Sequence, residues 1–161
     1  MSQVIQKYRD TVLKITQTIA ASAPASSVNP ANIQEDPLVT ATAVYQVPVT
    51  QTMDILDAYI KTAGDINADG RARIIKNAMQ SYRQLSNLST LLVSNPQRPA
   101  FGPAYRFTPG DQLSVQVIID SAVGTASVTN TFYMPARIYY AEQGAPVGNR
   151  GGSFFQRLAG M

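Results

Sequence analysis

Residues 68–94 read ADGRARIIKNAMQSYRQLSNLSTLLVS, and the recurrence of their apolar side chains decides how the first half of the chain is built. Ile75, Ala78, Met79, Tyr82, Leu85, Leu88 and Leu92 follow one another mostly three or four residues apart, with no proline among them. That spacing predicts one long amphipathic helix beginning near Asn67 or Ala68 and ending at Ser94, where Asn95-Pro96 stops it. Its opposite side carries Arg73, Lys76, Gln80, Arg83 and Asn87, a polar and basic strip.

Working upstream, Met53, Leu56, Tyr59, Ile60 and Ala63 form an apolar face over Thr50 to Ala63, with Thr50 as N-cap and Gly64 as the left-handed stop. The short connection between the two segments predicts an antiparallel helical hairpin that brings Asp54 and Asp57 near Arg83. The connector Asp65-Ile66-Asn67-Ala68-Asp69-Gly70 matches the first half of an EF-hand calcium loop, oxygens at alternate positions and a glycine at the sixth. The match ends there, because Arg71 and Arg73 follow and Lys76 stands where the bidentate acid belongs, so the segment reads as a turn and not a metal site.

Farther upstream, Val39, Ala41, Ala43, Tyr45 and Val47 alternate with their neighbours until Pro48, the period of a short edge strand. Residues 23–37, rich in Ala, Ser, Asn and Pro, read as a linker. Before it, Ile5, Tyr8, Val12, Ile15 and Ile19 recur at three and four, predicting an N-terminal amphipathic helix over residues 1–22. Its stripe is too short for an independent coiled coil, so it docks on its own chain or on a neighbouring subunit.

Downstream, residues 96–110 form a Pro/aromatic connector with Phe101, Tyr105 and Phe107 laid against the core. The period then becomes two: Leu113, Val115, Val117 and Ile119 make one strand, Val128 to Met134 a second, and Ala136 to Ala141 a third after Pro135. Residues 142–161 form a glycine-containing arm ending in Phe154, Phe155 and Leu158, side chains worth roughly 1.5–3 kcal/mol each once buried. The expected architecture is therefore α+β: an N-terminal helix, a strand and helical hairpin over 38–95, a small antiparallel sheet over 111–141, and extended terminal arms.

Composition narrows the chemistry. Neither histidine nor cysteine occurs among the 161 residues, which removes the usual general base near neutral pH, thiol nucleophiles and disulfides, and the ordinary zinc ligands. No catalytic, cofactor-binding or metal residues are expected, and Asp54 and Asp57 read as surface acids. Only 14% of residues are charged, so the surface is largely small and neutral and weakly protected against self-association. The charge is blocked: residues 35–70 sum to −5 and residues 71–110, without any acid, to +6. No run of apolar residues is long enough to span a membrane, and the N-terminus lacks a signal-like apolar core, so synthesis in the cytoplasm is expected.

These features argue for assembly over catalysis. The expected function is a non-enzymatic structural subunit of a self-assembling particle, such as a virion capsid or a phage head or tail component, in a homo-oligomer or beside other particle subunits. The expected subunit contacts are Ile5, Tyr8, Val12, Ile15 and Ile19 at one end and Phe154, Phe155 and Leu158 at the other. The alternative is an adaptor or nucleic-acid-associated protein that uses Arg73, Lys76 and Arg83 against an anionic partner.

Overall fold

The computed structural model describes residues 7–35 and 39–141. It replaces the expected α+β arrangement with strands: β1 (Tyr8–Ile19), β2 (Val28–Pro30), β3 (Asn32–Gln34), β4 (Tyr45–Gln46), β5 (Gln51–Ile55), β6 (Gly70–Lys76), β7 (Ser81–Asn87), β8 (Tyr105–Phe107), β9 (Gln112–Ile119) and β10 (Val128–Tyr140). The only helical segments among the described residues are two single 3-10 turns, Ala63–Asp65 and Leu88–Leu91.

The expected N-terminal helix is the strand β1. Leu13, Ile15, Gln17 and Ile19 are all buried, and the residues between them face outward. Gln17 sits in this inward file as a polar residue, and its amide donates to the Asn29 carbonyl. The stripe from Tyr8 to Ile19 is thus divided between two faces: Ile15 and Ile19 enter the core, while Tyr8 and Val12 are exposed.

The expected hairpin of helices is absent as well. The segment 68–94 is the β-hairpin β6–β7, with Lys76 opposite Ser81, followed by the turn that buries Leu88 and Leu91. The Gln80 amide donates to the Asn77 carbonyl, and Asn77, Ala78 and Met79 have φ of 52°, 53° and 75°. These are left-handed values, so the chain reverses here without glycine or proline. Of the preceding apolar face, Met53 points inward from β5 and Ile60 is buried in the irregular segment that follows, Tyr59 is half-buried, and Leu56 and Ala63 are exposed; Ile55 and Ala58, outside that face, are buried as well.

In the C-terminal half β9 lies where the alternation placed it, but β10 is one unbroken strand through Pro135. A proline is tolerated there because its carbonyl, and hence its missing N–H, faces the side where β5 has already ended; the Leu56 amide donates to that carbonyl. Residues 23–37, expected as a linker, contribute β2 and β3, and the expected strand before Pro48 is reduced to β4 and an isolated bridge from Thr42 to Ile33.

The strands form two antiparallel sheets. One runs β3-β1-β10-β5-β8 and the other β2-β9-β6-β7, with β4 also against β9. With the short β3 and β4 set aside, the first strand pairs with the last, the second with the second-to-last, and successive strands cross between sheets everywhere except at the β6–β7 hairpin. That winding is an eight-stranded jelly roll. A single apolar core fills the space between the sheets, drawing Leu13, Ile15, Met53, Ile55, Phe107, Phe132, Met134 and Ile138 from one and Ala72, Ile74, Leu85, Leu113, Val115 and Val117 from the other.

Gly70 is required where β6 meets β9, since a Cβ there would stand 2.3 Å from the Ile118 carbonyl oxygen. Asn130, wholly buried in β10, fastens the loop before β6. Its side-chain oxygen accepts from the amides of Asn67 and Ala68 at 2.7 and 3.0 Å, and its nitrogen donates to the Ala68 carbonyl at 2.8 Å.

Candidate interaction surface

The outward side of the β1-β10-β5-β8 sheet carries the most organised group of polar and aromatic side chains. Strand register sets Asp10 beside Arg137, Arg137 beside Asp54, and Asp54 beside Arg106. Four strands therefore present one transverse row of alternating charge. Arg137 Nε binds the Asp10 carboxylate at 2.7 Å and Arg106 Nε the Asp54 carboxylate at 2.8 Å, both with a second nitrogen on the other oxygen. The side chains at the row's two ends are equally open, Asp10 58% and Arg106 59% exposed, whereas Asp54 is 9% exposed. The hydrogen bonds from Arg137 hold the Asp10 carboxyl below the usual carboxylate range, and those to Asp54 raise the Arg106 guanidinium.

Aromatic rings flank the row. Tyr8 faces Tyr139 with ring centroids 6.0 Å apart; Arg137 lies over the Tyr8 ring at 4.4 Å and Arg106 over Tyr139 at 5.6 Å. Farther along, Tyr59 stacks on Tyr133 at 5.6 Å beneath the Lys61 ammonium, 4.3 Å from the Tyr133 ring. Between these groups Val12, Pro135 and Leu56 make an apolar stretch, with Val12 and Leu56 exposed. Tyrosine and arginine beside exposed aliphatic residues are the side chains enriched in protein contacts.

The expected contact residues divide. Tyr8 and Val12 lie on this face, Ile15 and Ile19 are core, and Ile5, Phe154, Phe155 and Leu158 lie outside the described residues. The two ends of the described chain leave the same end of the sandwich, since the Tyr140 amide donates to the Lys7 carbonyl and the Ala141 amide to the Thr50 carbonyl. There Arg9 pairs with Glu35, which also accepts the Tyr45 hydroxyl at 2.8 Å, and burial pushes the Tyr45 hydroxyl pKa up.

Arg73, Lys76 and Arg83 do not share a helix face, because the helix does not exist. Arg73 lies on the outward side of the other sheet, bonded to Gln116 at 3.1 Å and stacked over Tyr82 at 5.6 Å. Lys76 sits over Tyr105 and Phe107 at 4.7 and 5.1 Å, and Arg83 over Phe101 and Tyr105 at 4.8 and 5.0 Å. Phe107 is fully buried beneath this group, and Phe101 and Tyr105 are half-buried. The connector aromatics thus join the edges of the two sheets, and two of the three cations lie on them.

Asp54 and Asp57 are separately paired, Asp54 with Arg106 and Asp57 with Arg98 at 3.1 Å. In the segment resembling half a calcium loop, Asp65 accepts from the Thr62 amide, the Asn67 side chain donates to the Gly64 and Thr129 carbonyls, and Asp69 accepts from the Gly70 amide and from Ser89. These side chains are engaged by the loop's own backbone, by Ser89 and by the Thr129 carbonyl, and no cluster of three metal-ligating side chains occurs among the described residues. A groove of about 90 Å³ beside Arg83, Phe101 and Asp57 gathers no set of catalytic groups.

No helix among the described residues is long and apolar enough to cross a membrane. A scan against protein-family models finds no match, and no curated protein matches the sequence.

Proposed function

We propose that the chain is a non-enzymatic structural subunit of a self-assembling particle, of the kind that builds a virion capsid or a phage head or tail. The observation that carries this reading is the jelly-roll winding, an architecture recurrent among capsid subunits. Fold alone does not assign function; surface chemistry adds support. A chain with only 14% charged residues carries an exposed tyrosine–arginine face, and its described ends leave from one end of the sandwich, where residues 142–161 with Phe154, Phe155 and Leu158 begin. Lectins and cupins share the fold. The cupin-type metal site is disfavoured by the absence of histidine and cysteine from the sequence.

The test is sedimentation and electron microscopy of the full-length protein at rising concentration. Discrete oligomers or particles are expected, weakened by deletion of residues 150–161. A protein that stays monomeric throughout refutes the reading.

A further inference from the structure

We infer that the outward face of the β1-β10-β5-β8 sheet is a two-fold contact with a second copy of this chain. This deepens the assembly reading and rests on it. The warrant is the order of the charges. From β1 to β8 the row reads Asp10, Arg137, Asp54, Arg106, negative, positive, negative, positive. Reversed, it reads positive, negative, positive, negative. Two copies facing each other about a two-fold axis that lies in the interface, along the strands and midway between β10 and β5, therefore meet with unlike charges at every position.

Asp10 of each copy faces Arg106 of the other, and Arg137 faces Asp54. Asp10 and Arg106 are the most open members of the row, so the pairing across the axis rests chiefly on these two. With strands about 4.8 Å apart the two ends of the row are separated by about 14 Å, within the span of one interface. The same operation sets Pro135 against Leu56 and Tyr139 against Thr52, placing apolar and aromatic surface between the charged positions. A row of one sign would repel its own copy; strict alternation over an even number of strands makes this face complementary to itself.

The experiment uses the full chain in sedimentation velocity at low salt, as wild type, Asp10→Arg, Arg106→Asp, and an equimolar mixture of the two variants. In Asp10→Arg two arginines meet twice across the axis, and in Arg106→Asp two aspartates do, so each variant alone should self-associate roughly tenfold more weakly or worse. In the mixture the new arginine of one chain faces the new aspartate of the other and the unaltered pair faces itself, so association should return. Recovery uses the same two chains that fail separately, so misfolding does not account for it. Variants that associate like wild type overturn this contact while leaving the assembly reading standing, and loss without recovery in the mixture overturns the two-fold pairing. A wild type that remains monomeric overturns both.

Discussion

Asn130 should be the most sensitive polar position in the sandwich. It is wholly buried, and its short side chain closes three bonds of 2.7, 3.0 and 2.8 Å to the backbone of Asn67 and Ala68, with a longer one of 3.4 Å to Gln17. Asn130→Ala deprives two N–H groups and one carbonyl of their partners. At a net value of about 1 kcal/mol for each bond, the loss is about 3 kcal/mol, a large share of the roughly 5–15 kcal/mol by which a domain of this kind is stable. Gln17→Ala gives up one firm bond and one long one and should cost less. The double variant should cost less than the sum, because each change already disturbs the same network. Urea unfolding with an unchanged slope measures the stabilities, and native-state hydrogen exchange should show the Asn67 and Ala68 amides protected in wild type and fast in Asn130→Ala. An Asn130→Ala protein within about 0.5 kcal/mol of wild type, with both amides still slow, would show that this side chain does not hold the loop.

Two further outcomes follow from the same structure. At the β6–β7 reversal, Ala78 and Met79 occupy positions that favour Asn and Gly, at φ of 53° and 75°. The left-handed penalty is about 1–2 kcal/mol per residue and is partly offset by the entropy glycine loses on folding, so Ala78→Asn with Met79→Gly should stabilise by about 1 kcal/mol in urea unfolding; a destabilised double variant contradicts the assigned turn. Asp69 and Asp111 tend upward on burial, but hydrogen bonds from Ser89 and Gly70 to the first, and from Asn77 and Thr108 to the second, outweigh it and hold both below the ordinary 3.8. Lowered values mean that the folded state favours the carboxylate, so this stability is present above pH 3.8 and is lost as pH falls through the folded-state values. The urea midpoint should drop below about pH 4, and the drop should shrink in Asp69→Asn with Asp111→Asn; an equal drop in that variant contradicts the assignment.

Where the sequence was legible, the reason is a clean inward file. Leu113, Val115, Val117 and Ile119 alternate with Gln112, Ser114, Gln116 and Ile118, and β9 lies where that period put it. In β1 the inward file is Leu13, Ile15, Gln17, Ile19, and one buried amide broke the alternation. The outward Tyr8 and Val12 then completed a false helical stripe with Ile15 and Ile19. In β6, Ile74 points into the core and Ile75 lies on the other face yet is equally buried, so the period of two disappears at the middle of the strand. The following reversal is made by Ala and Met, good helix formers, held left-handed with no breaker to announce it. The charge row was not legible at all, since Asp10 and Arg137 lie 127 residues apart and meet only through strand register.

The proposed axis bears on how arms and face work together. A rotation about a line along the strands reverses the order of strands but not their direction, so the end from which Lys7 and Ala141 leave one copy lies beside the same end of the other. All four described ends, Lys7 and Ala141 of each copy, then lie at one side of the pair, and the loops over residues 56–69, 88–104 and 120–127 occupy the opposite side. The pair is therefore polar along the strands. Under the assembly proposed above, a pair polar in this way would offer the distinction between inner and outer surfaces that a closed shell requires. An axis running along the charge row instead would send the arms to opposite sides, but it would set Asp10 against Asp10 and Arg106 against Arg106. The charge order that makes the face complementary to itself thus also fixes the polarity of the pair.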